Sequence, residues 1–490
     1  MTISAEKTGL DRLQFYIDGV WTDPVGTESV RTYEAATGEL LGTAALGSSA
    51  DIDHAVRAAR AALDHGPWGR TTAAERAEAM FRYAKALRSR AETASRLVSR
   101  ENGMPITLSK PFNGEAPAAL LEMYANMVLV DPLERVQPSP LGSTIVRREP
   151  VGVVGAITPW NFPMSVALMK IAPALAAGCT VVLKHAPDTA LDPYLLADAA
   201  TEAGLPPGVI NIVLGDRDTG AALVSHPGID KIAFTGSTAA GRLIGAECGR
   251  LVRRCSLELG GKSAAIFCED GDIGTLLAGL GGSSFMNNGQ TCTAQMRLLA
   301  PRSRYKEVVD AVAAHSEGLK VGDPLDQSTE CGPMATEHHL RRVMGYIDDA
   351  RSNSGARLVT GGGRPKGLDQ GYFVAPTVFA DVDPDDRLSR EEVFGPVMGI
   401  TPYDSEDQAV ELANDSNFGL GGSVWTQDEE KGLDMARRIR AGNIGVNYWV
   451  LDMDAPFGGY KDSGIGRELG PQGLEHYFEW KSIYASADQL

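Results

Sequence analysis

The sequence predicts an α/β protein built on two doubly wound parallel sheets. Two observations carry this reading. Short β-branched runs alternate with helical stretches from Val151 to Cys248, and a second series of the same kind runs from Ser263 to Val446. Alternation at that spacing builds parallel sheets covered by helices on both faces. The size agrees: 490 residues allow about three domains. Hydrophobic content of 43% and charged content of 22% are ordinary for a globular chain, which needs no disulfide or metal staple at this length.

The elements follow in order. Residues 12–48 read as short strands and turns, with Asp18-Gly19 and Thr37-Gly38 as turn signals. Residues 51–63 form a helix, since Ile52, Ala55, Val56, Ala59, Ala62 and Leu63 share one face. Residues 73–100 read as one longer helix with charges at helical spacing. The first series then expects strands at 151–157, 180–183, 209–214 and 231–234. Its helices are expected at 164–176, 195–202, 220–225 and 239–248. The second series expects strands at 264–267, 296–299, 397–401, 422–426 and 444–446. Its helices are expected at 273–285, 305–319, 405–414 and 429–440, and the loop-rich 361–371 separates its halves. Such sheets bind ligands at the carboxyl ends of their strands.

Charge and cysteines exclude several classes. A net charge of −17 opposes nucleic acid and anionic membranes. The longest apolar stretch, 171–183, is broken by Pro173 and Gly178 and is too short to span a bilayer. The six cysteines show no CxxC pair and no zinc-like spacing, so no metal site is expected. The N-terminus carries neither a basic nor an apolar signal region, and reduced thiols in the cytoplasm are the expectation.

One cysteine stands apart. Cys292 closes the run Asn287-Asn288-Gly289-Gln290-Thr291-Cys292, a loop between a helix and a strand. A thiol on such a loop suits a nucleophile, whereas Cys179, Cys248, Cys255 and Cys268 lie in apolar or helical runs and Cys331 in a loop without a role. A cysteine hydrolase needs a histidine base, and none of the eight histidines sits in a loop that announces one. Glu258 offers an alternative. It lies between Leu257 and Leu259 before a glycine turn, where desolvation raises a carboxyl pKa toward neutrality. In Pro159-Trp160-Asn161-Phe162-Pro163 the two prolines hold the Asn161 amide, a good donor to a developing oxyanion. The usual G-x-G-x-x-G signature is absent. Phe234-Thr235-Gly236-Ser237 instead follows a strand and opens a helix, which suits a phosphate, and Lys184 stands at another strand end.

Together these motifs resemble the aldehyde dehydrogenase superfamily along nearly the whole chain. Glu-Leu-Gly-Gly-Lys from Glu258, Gly-Gln-Thr-Cys to Cys292, Glu392-Val393-Phe394-Gly395-Pro396 and Pro456-Phe457-Gly458-Gly459-Tyr460-Lys461 complete the set in order. The resemblance implies Cys292 as nucleophile, Asn161 with the Cys292 N–H as oxyanion hole, and Glu258 as the base that activates the deacylating water. It implies a nicotinamide dinucleotide held by Ile157, Trp160, Lys184, Gly215, Phe234, Gly236, Ser237, Leu259, Glu392 and Phe394. Phe162, Val166, Met169, Thr291, Thr293, Trp449, Leu451 and Phe457 would line the aldehyde funnel. That lining is mostly apolar and shows no arginine, so a hydrophobic aliphatic, aromatic or terpenoid aldehyde is expected over a semialdehyde acid. Asp452 and Asp454 keep a cationic aldehyde open.

The resemblance also implies a division of the chain. Residues 1–129 and 150–257 would form the cofactor-binding domain, 258–441 the catalytic domain, and 442–475 a return segment. A hairpin at 130–149 and a strand at 476–490 would form a small β oligomerisation extension, giving a homodimer or homotetramer. NAD is the expected cofactor and NADP the alternative. Family members that bind NAD often carry a glutamate three residues after the strand-end lysine, and here that place is Pro187, with Asp188 shifted by one and Arg217 a further cation in the loop 215–218. A CoA-acylating enzyme of the same fold, which would not need Glu258, and a catalytically silent protein are the rival readings.

Overall fold

The computed structural model describes residues 10–139 and 142–485. Parts of three expected segments, 1–9, 140–141 and 486–490, lie outside the described residues.

The first sheet runs Val20–Thr22, Phe15–Ile17, Ile210–Leu214, Thr180–His185, Val153–Ile157, Lys231–Thr235, Arg254–Glu258, Gly464–Ile465. Its five central strands are parallel. They read as near-continuous apolar runs because helices cover both faces. Chain order runs one way from Val153–Ile157 through Ile210–Leu214, then resumes on the other side with Lys231–Thr235. The crevice therefore opens beyond the carboxyl ends of Val153–Ile157 and Lys231–Thr235, from which the Trp160-Asn161 loop and the Gly236-Ser237 turn emerge.

The second sheet runs Arg357–Thr360, Thr377–Ala380, Val397–Tyr403, Arg297–Pro301, Ala264–Phe267, Gly421–Trp425, Asn443–Val446. All its pairs are parallel except the Arg357–Thr360 edge. Five residues separate Glu258, the last residue of its strand, from Ala264, which opens the second sheet. The late strand Gly464–Ile465 returns to pair with Leu257 and Glu258. Glu258 thus sits on the seam between the two units. A third, antiparallel sheet joins Phe478–Ala485, Gly142–Pro150 and Glu134–Ser139 and leaves Val136, Trp480, Ile483 and Tyr484 exposed. Among the described residues, no helix is long and apolar enough to cross a membrane.

Most predicted elements fall within a few residues of their expected bounds. One does not. The helix expected over 73–100 is two helices, Ala73–Arg88 and Ala91–Asn102. The break lies at Ser89, whose hydroxyl donates to the Ala86 carbonyl at 2.8 Å and competes with the helical ladder, and Arg90 leaves helical geometry at ψ 1°. The helices Ala116–Val130 and Glu337–Asn353 and the strands Arg357–Thr360 and Thr377–Ala380 were not legible. Ala116–Val130 is apolar almost all round because it packs between Ala73–Arg88 and Pro163–Ala177, which erases the periodic signal. A π-helical turn, Lys110–Glu115, leads into that helix.

Candidate active site

The thiol loop is built from a reversal. After the helix Ile273–Ser283, Asn287, Asn288 and Gly289 take φ values of 50°, 62° and 75° in succession. Asparagine and glycine tolerate this left-handed region better than other residues. At Gly289 a Cβ would stand 2.3 Å from the Gly395 carbonyl, so a larger residue would push apart the two loops that meet there. A Cβ on Gly261 would meet the Cys292 carbonyl at the same distance. Both glycines let the backbone close around the recessed Cys292.

A cavity of about 300 Å³ opens over this thiol. It brings together Cys292, Asn161, Glu258, Trp160, Gly236, Ser237, Leu259, Glu392 and Phe394. All eight expected funnel residues line it too: Phe162, Val166, Met169, Thr291, Thr293, Trp449, Leu451 and Phe457. Phe162, Val166 and Met169 share one face because Phe162 caps the helix Pro163–Ala177 and the others follow at spacings of four and three. Ile157, Lys184, Gly215 and Phe234 do not line the cavity. Ile157, Lys184 and Phe234 lie at the carboxyl ends of strands in the first sheet, and Gly215 directly follows another.

Several lining residues were missed. Phe112 comes from the π-helical turn, its carbonyl accepts from the Ser165 hydroxyl, and its ring packs edge-on against Phe162 at 5.2 Å. Met286 adds to the same apolar wall. Only the tertiary fold brings these residues in, and their spacing carried no signal. His339 and Arg342 were missed as well. His339 is buried against Trp160 and Phe394, with ring centroids 5.1 and 5.9 Å away. Its Nε2 donates to the Phe394 carbonyl at 2.6 Å, and burial pulls its pKa down to about 4, so the ring is neutral. Arg342 also lines the cavity, although none of the eight expected funnel residues is an arginine. It donates to the Glu392 carbonyl at 2.8 Å and stacks over Tyr346, which ties it to the Glu392–Phe394 wall.

Burial dominates the electrostatics. Glu258 is 2% exposed, and neither carboxyl oxygen has a hydrogen-bond partner. Its pKa is pushed well above the carboxylate range, first by desolvation and then by the Glu468 charge, with Lys170 and Arg467 opposing. Lys170 donates to Glu468 at 2.5 Å and to the Thr235 hydroxyl at 2.6 Å. The Cys292 thiol is pushed up to about 12 by burial, then by Glu392 and Glu258. Glu392 accepts from the Gly261 N–H at 2.9 Å and is raised to about 7 by burial. Cys255 moves the other way: its hydrogen bond with Cys248 and the nearby Lys231 draw it below the usual thiol range. Ionisation in the resting protein therefore does not single out Cys292. Its surroundings do.

Two of the residues expected to hold a dinucleotide fit an anionic ligand. The buried Lys184 ammonium makes one long hydrogen bond, 3.5 Å to the Asp216 carbonyl, and so has donors to spare. Burial lowers its pKa to about 8, with Asp188 and Asp216 opposing. Ser237 caps the helix Thr238–Arg250, leaving backbone N–H groups at its start. A cluster of Cys268, Asp270 and Glu406 has metal-like proximity, but Lys431 donates to Asp270 at 2.7 Å and to Glu406 at 2.8 Å and supplies the countercharge.

Known proteins agree with this architecture. The model of the aldehyde dehydrogenase family matches residues 21–483. Geranial dehydrogenase from Castellaniella defragrans is 50% identical over 478 residues, covering 97% of this chain and 99% of its own. The crystal structure of a Mycobacterium tuberculosis aldehyde dehydrogenase complexed with NAD+ superposes with a TM-score of 0.95 at 45% identity, covering 97% of this chain and 99% of that one. A cysteine-to-alanine mutant of aldehyde dehydrogenase C from Pseudomonas syringae, complexed with NAD+ and octanal, gives 0.92 at 40% identity and 96% coverage of both. With the fold matched throughout and the family's motifs gathered around one cavity, this chain belongs to the aldehyde dehydrogenase family.

Proposed function

We propose that the chain oxidises a hydrophobic aldehyde to its carboxylic acid with NAD, through a thiohemiacetal and then a thioester on Cys292. The carrying observation is the convergence of Cys292, Asn161 and Glu258 on one cavity whose remaining wall is largely apolar. Trp160, Lys184, Gly236, Ser237, Glu392 and Phe394 would hold the dinucleotide, assisted by Ile157, Gly215, Phe234 and Leu259. Bound there, NAD supplies the acceptor for the hydride lost when the thiohemiacetal becomes a thioester.

The protein does the rest. Cys292 gives up its thiol proton to solvent, and the thiolate sulfur attacks the carbonyl carbon. Asn161 and the Cys292 N–H stabilise the resulting alkoxide. Glu258 then draws a proton from the water that attacks the thioester and passes it to the departing sulfur, releasing the acid with the thiol restored. A carboxyl raised by burial is a stronger base than an exposed one and is suited to this transfer. Because Glu258 is present and faces the cavity, hydrolysis is favoured over transfer to CoA.

The substrate reading rests on the apolar wall formed by Phe112, Phe162, Val166, Met169, Met286, Trp449, Leu451 and Phe457. Relatives that act on geranial or were crystallised with octanal agree with it. The test is a panel of aldehydes assayed for NADH formation without CoA. Geranial, octanal and phenylacetaldehyde are expected to exceed succinate semialdehyde in kcat/KM by at least about tenfold, the order that a few methylene contacts provide. A higher value for succinate semialdehyde would overturn the substrate class, and dependence on CoA would overturn the hydrolytic reading.

NAD over NADP follows from Asp188. Its carboxyl is raised by burial and feels the Lys184 charge, and it directly follows the position that Pro187 leaves without a carboxyl. A 2′-phosphate there would face that carboxylate. Arg217, by contrast, is exposed. Asp188→Ala is expected to narrow the NAD-to-NADP ratio of kcat/KM by about tenfold, through loss of like-charge repulsion. An unchanged ratio would show that discrimination lies elsewhere.

The domain division given by the resemblance belongs to the same proposal. So does association into a homodimer or homotetramer through the three-stranded sheet, where Trp480 and Tyr484 are exposed on one face and Ile483 on the other.

A further inference from the structure

We propose that Asn102, which does not line the cavity, is a positioning residue that acts through Asn161. The inference rests on the oxyanion role given to Asn161 above. Asn102 ends the helix Ala91–Asn102 and is fully buried. Gly103 turns the chain at φ 79°, and the preceding Glu101 accepts from the Leu191 N–H at 2.8 Å. The turn is therefore held on both sides. From it the Asn102 amide donates to the Trp160 carbonyl at 3.0 Å and to the Asn161 carbonyl at 3.1 Å. Its own oxygen accepts from the Met104 N–H at 3.0 Å. Every polar atom of the side chain is used.

The thiol loop grips the same peptide from the opposite unit. Asn287 donates to the Asn161 carbonyl at 3.0 Å. The Asn161 amide in turn donates to the Gln290 carbonyl at 3.0 Å, two residues before Cys292. Gln290 closes the circuit by donating to the Asn102 carbonyl at 3.3 Å. Asn161 is thus clamped between Asn102 on the first unit and Asn287 and Gln290 on the second. One Asn161 N–H is aimed by Gln290, and the other has no partner among the described residues and is left for a ligand. Buried amides are costly to leave unpaired, so a closed circuit of them over-determines the position of each member. Oxyanion stabilisation needs that rigidity, because the donor must meet the developing charge without reorganising.

A network that only braced the fold would show the same hydrogen bonds, so the test is a double-mutant cycle. Asn161→Ala is expected to lower kcat by about 10²–10³-fold as an oxyanion donor is lost. Asn102→Ala is expected to lower kcat by about 10–10²-fold with the aldehyde KM little changed, the cost of misplacing the donor by about an ångström. The double variant should be no slower than Asn161→Ala, because no amide remains to misplace. Asn102→Ser, whose hydroxyl can still accept from Met104, repeats the cycle if the alanine variant does not fold. Independent, multiplying losses would show a merely structural role and overturn the inference, as would an unchanged kcat in Asn102→Ala. A wild-type kcat in Asn161→Ala alone would instead remove the oxyanion reading, and this inference with it.

Discussion

Replacing Cys292 by alanine is expected to lower NADH formation by at least about 10⁴-fold, because the change removes the only atom on which the covalent route is built. The loss should fall on chemistry alone. The Glu392–Gly261 hydrogen bond and the Trp160–His339–Phe394 cluster do not involve the sulfur. NAD affinity, followed by quenching of tryptophan fluorescence, should therefore stay close to that of the wild type. Activity close to wild type would exclude Cys292 as the nucleophile, and loss of cofactor binding would mean that the substitution had disturbed the site itself. Alkylation does not serve as well. The resting thiol of Cys292 is held protonated by burial and two carboxyls, whereas Cys255 is the more ionised sulfur.

Glu258→Gln is expected to separate the two halves of the reaction. Hydride transfer needs no base once the thiolate has attacked, but release of the acid does. Rapid mixing should show a burst of about one NADH per active site, followed by a steady rate lower by about 10²–10⁴-fold, the range of general-base catalysis. The pH dependence has a definite sign. The base works in its ionised form, and its folded pKa lies above the ordinary carboxylate value. In the wild type the steady rate should fall as pH drops through that raised pKa. The glutamine variant should lose this acid limb. A glutamine variant that turns over without a burst would assign the base elsewhere.

Much of this was legible before any fold was known, and the residues show why. Cys292 sits in a run of asparagine, glycine, glutamine and threonine, unlike the apolar or helical runs that hold Cys179, Cys248, Cys255 and Cys268. Glu258 lies between leucines, and desolvation follows from those neighbours alone. The parallel strands were legible because burial on both faces makes them unbroken apolar runs. The helix Glu337–Asn353 was not. Its exposed face is crowded with charge, and the side chains it gives to the cavity, His339 and Arg342, look like any others on a polar helix. Their role depends on Phe394 and Glu392, more than fifty residues on in the case of His339.

The sequence by itself determined the fold class, the Cys292 loop, the strand-end acid and the amide loop, since each depends on neighbours within a few residues. The tertiary structure alone decided which of these meet. The reversal of strand order beyond Val153–Ile157 places the Asn161 loop at the crevice, and the seam between the sheets places Glu258 there too. The same packing delivers Phe112 to the wall and closes the Asn102–Asn161–Gln290 circuit across residues far apart in the chain. Periodicity reports only which face of an element is buried. What that face touches is set by how the elements pack, and no local pattern records it.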